Sequence, residues 1–428
     1  MKVAYVTLGC KVNQYETEVL KELFENKGFA PIKKGEEPQI FVLNSCTVTA
    51  QSDRKTRQTL RHWKKKYPNC VTILLGCMPQ FSPSEVEKIK EADIIFGNTD
   101  HSKIPELLEE FLKNRKQIIR IEEHIKGEKF KTPSVADFSE RTRAYMKIED
   151  GCDRFCSYCA IPYARGRVRS KPLCAIVKEA ENLSENGYKE IVLVGINLSA
   201  YGKDGKENIC DVVEAIAEID NIKRIRLGSL EPDHITDEML YRLKNIDKFC
   251  DQFHLSMQSG CDETLKRMNR HYDSAFYYDL VCRIRKIFKT PSITTDIMVG
   301  FAGETEEEFN KSLKFAKKVG FARSHVFAYS IRKGTAAAKL TNQLTGDIKQ
   351  LRSEKMIEAM NECEKEFLNS MVGLEQEVLF ETLKDGYIEG YTPNYTRVRI
   401  NTKENLEGEI QKVKLIKVID DYIMGELL

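Results

Sequence analysis

The sequence predicts an α/β protein in three parts: an N-terminal parallel α/β domain, a central open (β/α)6 partial barrel, and a small antiparallel β-barrel of the oligonucleotide-binding kind. Three observations carry this prediction. Apolar runs of strand length alternate with helical periodicity over residues 1–121, the signature of a parallel sheet covered by helices. The alternation resumes from 144 to 329 in six strand–helix units, too few for a closed eight-stranded barrel. Five short β-type runs with turn signals between them then fit into fewer than sixty residues, as small closed barrels do.

In order along the chain, strands are expected at 2–8, 39–44, 71–76 and 93–96, with helices at 14–26, 53–66, 84–91 and 104–113. Residues 122–141 are polar, contain Gly127, Pro133 and Ser134, and lack either periodicity, so they read as a linker. The second domain, 142–370, is expected to hold strands at 144–148, 190–194, 224–228, 252–257, 294–299 and 325–329. Helices fall between them at about 173–186, 212–218, 237–244, 275–288 and 305–319, and a long helix over 347–371 leads out. The last domain, 371–428, is expected to carry strands at 375–380, 387–391, 396–401, 409–418 and 422–427, with turns at Asp385-Gly386 and Glu407-Gly408.

Hydrophobic residues make up 41% of the chain and charged residues 31%, which excludes a disordered polypeptide. No apolar run is long enough to span a bilayer and no secretory signal is visible, so a cytoplasmic protein without membrane contact is expected. In that compartment thirteen cysteines read as ligands or buried thiols rather than a disulfide framework. A net charge of +2 gives no global sign of nucleic-acid binding. The segment 53–66 is locally basic, however, and on a helix Arg54, Arg57 and Arg61 share a face suited to phosphates.

The cysteines are not scattered at random. Cys152, Cys156 and Cys159 form a C-x3-C-x2-C loop directly after the strand at 144–148. A four-iron cluster normally takes four thiolates, so three leave one iron open to a ligand. Cys10, Cys46 and Cys77 each fall just past the end of one of the first three strands, and such ends converge at the ligand-binding edge of a parallel sheet. A lone cysteine is most often just a small hydrophobe, and that reading stands for Cys70, Cys174, Cys210, Cys250, Cys261, Cys282 and Cys363. At the strand ends of the second domain, Gly195, Asn197, Ser229, Glu231, Ser256, Gln258 and Asp296 supply close backbone approach and polar groups for a ribose or an amino acid moiety.

The C-x3-C-x2-C loop, with Tyr158 before its last cysteine, resembles the cluster loop of radical S-adenosylmethionine enzymes. Cys10, Cys46 and Cys77 ahead of it, Ala160-Ile161-Pro162-Tyr163-Ala164-Arg165-Gly166-Arg167 after it, and a C-terminal domain similar to the TRAM module match the methylthiotransferase branch. Within that branch the stretch 7–18, which contains Gly9-Cys10-Lys11-Val12-Asn13-Gln14, looks most like the enzymes acting on N6-threonylcarbamoyladenosine beside the tRNA anticodon. Gly195-Ile196-Asn197 departs from the Gly-Gly-Glu often found in radical S-adenosylmethionine enzymes, and Gly76-Cys77-Met78-Pro79-Gln80 is unusual after its cysteine.

The resemblance implies two 4Fe-4S clusters, one on each cysteine trio, with S-adenosylmethionine on the open iron of the Cys152, Cys156, Cys159 cluster. It implies methylthiolation at C2 of the adenosine, with a tRNA substrate, an electron donor such as flavodoxin or ferredoxin, and a sulfur source. Positive charge at Arg54, Arg57, Arg61, Arg165 and Arg167, with Arg154, Arg169 and Lys171 nearby, is expected to meet the RNA backbone. Competing readings are isopentenyladenosine or a ribosomal-protein aspartate as substrate, a non-catalytic iron–sulfur RNA-binding or redox-sensing protein, and structural zinc.

Overall fold

The computed structural model describes residues 1–138, 142–384 and 386–428. Its first sheet is six-stranded and wholly parallel. The strands are β1 (Lys2–Thr7), β2 (Ala30–Pro31), β3 (Ile40–Ser45), β4 (Val71–Gly76), β5 (Ile94–Phe96) and β6 (Ile118–Arg120), in the order β2-β1-β3-β4-β5-β6. Every residue of β3 and β4 is buried, which is why both read as unbroken apolar runs rather than alternating ones. Helices α1 (Lys11–Glu25), α2 (Ala50–Lys66), α3 (Cys77–Phe81), α4 (Pro83–Val86) and α5 (Ile104–Asn114) connect them. The basic helix α2 is well specified locally. Thr49 caps it by accepting the Ser52 N–H, Asp53 sits in its first turn, and Lys64, Lys65 and Lys66 complement the dipole in its last.

Two edge strands, β2 and β6, are absent from the sequence reading because two and three residues carry no periodicity. The helix expected over 84–91 stops at Val86, and α1 starts three residues earlier than expected, immediately after Cys10.

The central part uses β7 (Arg143–Lys147), β8 (Glu149–Asp150), β9 (Arg169–Ser170), β10 (Glu190–Val194), β11 (Arg224–Leu227), β12 (Ser229–Leu230), β13 (Gln252–Leu255), β14 (Ser292–Val299) and β15 (Arg323–Ala328). Between them lie α6 (Ile161–Arg165), α7 (Leu173–Glu185), α8 (Ile209–Ala217), α9 (Asp237–Lys244), α10 (Asp262–Arg267), α11 (Ser274–Ile287) and α12 (Glu306–Val319), and α13 (Gly346–Met371) leads out. Parallel pairing runs β7-β10-β11 and then β12-β13-β14-β15. The expected strand over 224–228 is divided at Gly228, where the partner changes from β10 to β13. The result is the expected open, barrel-like succession, its lumen facing α1 and the first sheet. Val12, Tyr15 and Val19 of α1 belong to the same apolar core as the barrel strands.

Residues 122–138 contain no helix or strand, yet they are fastened down. The Tyr15 hydroxyl donates to Pro133 O, Glu22 accepts the Ala136 and Asp137 N–H groups, and Val135 and Phe138 are buried. The last three residues of the expected linker, 139–141, lie outside the described residues, as does Asp385 of an expected turn. The C-terminal strands β16 (Glu375–Lys384), β17 (Tyr387–Tyr391), β18 (Arg397–Asn401), β19 (Ile410–Ile419) and β20 (Tyr422–Leu427) close into a barrel in the order β16-β17-β18-β20-β19 around their own core.

Candidate functional site

Neighbouring positions of β1, β3 and β4 in the first sheet bring three cysteines to one edge. Cys10 ends the loop after β1, Cys46 follows β3 directly, and Cys77 opens α3 after β4. Two glycines make this approach feasible. At Gly9 (φ +115°) a Cβ would lie 2.8 Å from Cys46 Cβ, and at Gly76 (φ +102°) one would lie 2.5 Å from Asn44 Oδ1. The Cys10 thiol donates to Asn13 Oδ1 at 3.3 Å, Cys46 Sγ accepts the Val48 N–H at 3.4 Å, and Cys77 Sγ accepts from Arg165 Nε at 3.3 Å. Burial pushes the Cys46 thiol up and the Cys77 thiol to about 12, and the neighbouring thiols of the trio push in the same direction.

The second trio sits on the loop between β8 and α6. Cys152 Sγ accepts the Arg154 N–H at 3.5 Å, and Cys156 Sγ accepts from Arg270 Nη1 at 3.2 Å. The Cys159 N–H donates to Cys156 O at 2.9 Å and closes the turn. Burial pushes Cys152 to about 12 and Cys159 further, again with help from the adjacent thiols. Thiols lose their protons when a metal binds them, so both trios have the donor chemistry of metal sites. Among the described residues no three His, Cys, Asp or Glu side chains converge as ligands of a single ion would. Thiolates bound to different irons of one cluster need no such convergence, and the trios suit a polynuclear group.

Of the polar residues expected to meet S-adenosylmethionine, Asn197 lies by Cys152, Glu231 reaches Cys156 through Arg270, and Gln258 and Asp296 share a cavity with Cys159. Ser229 instead lines the cavity that Cys10 borders. The Asn197 N–H donates to Glu149 Oε2 at 2.7 Å, and a Cβ on Gly195 would come within 2.6 Å of the same oxygen. Burial pushes the Glu149 carboxyl well above the carboxylate range, favouring its protonated form. Glu231 pairs with Arg270 at 2.5 Å, and Ser256 O accepts from Arg270 and from the Tyr272 hydroxyl. Gln258 adopts a left-handed φ of 62°. Glu149 Oε1, Asn197 Oδ1 and Gln258 Oε1 are buried without a hydrogen-bond partner. Buried polar atoms are normally hydrogen-bonded, so three orphans around one loop mark a place suited to a polar ligand.

Two cavities share Asp296 as a wall. One, about 170 Å³, is lined by Tyr158, Cys159, Gln258 and Met298 together with Val48 and Thr49 from the loop after Cys46. The other, about 560 Å³, runs through the lumen from Cys10, Gly195 and Ser229 to Arg226 and Tyr395. Each trio thus contributes a cysteine to one of the two cavities, Cys159 to the smaller and Cys10 to the larger. Asp296 is held by His254 Nε2 at 3.4 Å and His325 Nδ1 at 3.3 Å, which depresses its carboxyl despite burial.

The expected RNA-contacting residues divide. Arg54 and Arg61 are exposed, Arg57 is half-buried beside Arg61, and Arg61 pairs with Glu91. Arg167 is exposed, lying over the Phe155 ring. Arg165 is a correction: it is fully buried, bound to Glu16, Asn13, Asp150 and Cys77, and has no surface to offer a phosphate. Arg169 and Lys171 are likewise buried, on Asp150 and Glu179, while Arg154 pairs with Asp233. Arg270, Glu149 and Glu16 belong to the site but were not anticipated. The sequence hint for Arg270 was the basic run Lys266-Arg267-Met268-Asn269-Arg270, which reads equally as a solvated helix end.

Residues 2–97 match the family described as Uncharacterized protein family UPF0004, and residues 146–316 match the Radical SAM superfamily. The threonylcarbamoyladenosine tRNA methylthiotransferase MtaB of Bacillus subtilis is 36% identical over 100% of this chain and 96% of its own length. That of Aquifex aeolicus is 35% identical over 94% and 100%. The tRNA-2-methylthio-N(6)-dimethylallyladenosine synthase of Clostridium perfringens is 34% identical over 99% and 96%. Among solved structures, the radical S-adenosylmethionine methyltransferase TsrM of Kitasatospora setae superposes with a TM-score of 0.56 at 13% identity, covering 91% of this chain and 80% of that one, a likeness of fold.

Proposed function

The chain belongs to the radical S-adenosylmethionine methylthiotransferase family, and from that premise we propose that it adds a methylthio group to C2 of N6-threonylcarbamoyladenosine next to the tRNA anticodon. The observation that carries this is end-to-end similarity to the Bacillus subtilis enzyme of that name, with all six cysteines of the two trios present. It would act in the cytoplasm, with a flavodoxin- or ferredoxin-type electron donor and a separate source of replacement sulfur.

In this reading Cys152, Cys156 and Cys159 hold one 4Fe-4S cluster and Cys10, Cys46 and Cys77 the other. When bound, the clusters and S-adenosylmethionine supply the radical and the sulfur. The protein's share is position and exclusion of water. Arg270 orients the Cys156 side of the loop through Glu231 and the Ser256 carbonyl, while the unpartnered oxygens of Asn197 and Gln258 fix the cofactor's polar ends. Tyr158, Phe301, Met298, Phe327 and Tyr329 form an apolar cluster beside Cys159 that keeps solvent from the reacting space. Arg54, Arg57, Arg61 and Arg167 would take RNA phosphates.

Anaerobically reconstituted protein should bind roughly eight irons per chain, and roughly four when either trio is replaced by alanine. It should convert threonylcarbamoyladenosine in tRNA to the 2-methylthio form, read by mass spectrometry of nucleosides. Unchanged threonylcarbamoyladenosine with active S-adenosylmethionine cleavage would sink the substrate assignment. Dimethylallyladenosine is the second reading, favoured by the name of the Clostridium perfringens relative.

A further inference from the structure

The lumen of the partial barrel is chemically divided along the strand direction. Strand register places His254, Thr294 and Arg323 side by side, and Asp296 beside His325 one pleat further on. Side chains two apart on a strand share a face, so Gln252 and His254, Thr294 and Asp296, and Arg323 and His325 all project into the 560 Å³ cavity. Another pleat on, Met298 and Phe327 make the wall apolar beside Cys159. The apolar layer lies beside Cys159, and the polar layers line the cavity that Cys10 borders, with Asp296 between the two.

The cations in the polar layers are not equivalent. Arg226 is fully engaged: Nε pairs with Glu190 at 2.8 Å, Nη1 and Nη2 donate to Pro393 O and Thr392 O, and its plane lies over Tyr395. Arg323 is exposed in the opening, and its guanidinium makes no hydrogen bond or ion pair among the described residues; Glu364 acts on it only from a distance. His325 reaches Asp296 with one nitrogen and is otherwise two-thirds exposed, its side chain 67% accessible.

We propose that Arg323, His325, His254 and Asp296 form the subsite for the side chain that the target adenosine already carries, with Arg323 binding a carboxylate and Asp296 accepting from the adjacent N–H or hydroxyl groups. This assignment rests on the substrate class proposed above and extends it to named residues. A threonylcarbamoyl group carries one carboxylate, ureido N–H donors and a hydroxyl, matching one free guanidinium, one half-buried carboxylate and two imidazoles. A dimethylallyl group offers no polar partner to any of them and would displace water from the Arg323 guanidinium without replacing it.

The test uses the full reconstituted enzyme and two anticodon stem-loop oligonucleotides, one with threonylcarbamoyladenosine and one with its methyl ester, which removes the charge and adds one methyl group. Wild type should prefer the acid by about 10-fold in kcat/KM, in keeping with one charge-assisted contact made by an exposed guanidinium. Arg323→Leu should lose about the same factor on the acid and treat acid and ester alike, within about 3-fold, while Arg323→Lys recovers part of the preference. Fluorescence anisotropy should show the same acid-over-ester difference in binding for wild type and its loss in Arg323→Leu. Iron content and substrate-free cleavage of S-adenosylmethionine should stay at wild-type level, separating this role from a structural one. If wild type prefers the acid and Arg323→Leu keeps that preference, the subsite is overturned and the function stands. If wild type leaves the threonylcarbamoyladenosine oligonucleotide unmodified while cleaving S-adenosylmethionine, the substrate reading falls and the subsite with it.

Discussion

Arg165 Nε lies 3.3 Å from Cys77 Sγ across 88 residues of sequence. The same guanidinium grips Glu16 through Nη1 at 2.5 Å and Nη2 at 3.0 Å, donates to Asn13 Oδ1 at 3.1 Å, and approaches Asp150 at 3.4 Å. One buried arginine on α6 thus ties α1, α3 and β8 together. A bidentate fork is what allows a buried guanidinium to offset its lost hydration.

Replacing Arg165 with leucine leaves Glu16 and Asp150 buried with only Lys147, and Asp150 also with Arg169, to compensate them. Breaking a buried pair from one side costs about 3–5 kcal/mol. Urea unfolding of Arg165→Leu should therefore show its first transition at lower denaturant, and Arg165→Leu with Glu16→Leu should recover part of that loss. Equal losses in the single and double variants would mean that the pair does not hold the first sheet to the barrel.

The sequence revealed what depends on local pattern and on spacing. The unbroken apolar runs of β3 and β4 announced a buried parallel sheet, and Cys10, Cys46 and Cys77 could be placed at one edge because each follows a strand. Arg165 could not be placed, because its partners Glu16 and Cys77 lie 149 and 88 residues away and an arginine in a polar loop reads as exposed. Arg270 and Glu149 were illegible for the same reason: their roles come from contacts across the lumen mouth. The docking of the C-terminal barrel was illegible too, since Tyr391 and Tyr395 are stacked on each other and covered by Arg143 of β7, far earlier in the chain.

Gly151 precedes Cys152 at φ +87°, and a Cβ there would run into the Arg167 carbonyl. Gly151→Ala should distort the loop that carries the second trio and leave the first sheet untouched. Iron and sulfide should fall by roughly half, to one cluster's worth, with cleavage of S-adenosylmethionine lost. Retention of full iron content would show that the loop tolerates the side chain.

Glu16 carries a pH dependence. Burial raises its carboxyl, but Arg165 and Lys147 overcome this and hold it at about 2, against an ordinary value of 4.5. A depressed folded-state value means that the folded protein resists protonation. The stability Glu16 confers is then fully present above about pH 4.5 and is lost as pH falls toward 2. The thermal midpoint of wild type minus that of Glu16→Gln should be constant from pH 7 to 5 and shrink between pH 4.5 and 3. A difference that stays flat over that lower range would remove Glu16 from the acid response.

The docking of the C-terminal barrel turns on Tyr395. Its ring stacks on Tyr391 at 4.7 Å and packs between the guanidinium groups of Arg143 at 5.0 Å and Arg226 at 4.8 Å. Around it, Arg224 and Arg226 donate to the carbonyls of Glu377, Tyr391, Thr392 and Pro393. These arginines lie on β11, next to the Glu190 that neutralises them, so the tyrosine pair forms the lid of a buried charge cluster. Removing the ring costs its buried area and two cation–π contacts, about 2–4 kcal/mol together. Tyr395→Ala should speed amide hydrogen exchange through residues 391–396 and render the barrel separable by limited proteolysis, with iron content unchanged because neither trio is touched. Tyr395→Phe keeps the ring face that the arginines use, so it should exchange and digest like wild type; if it behaved like the alanine variant, the hydroxyl rather than the stacked ring would be holding the barrel in place.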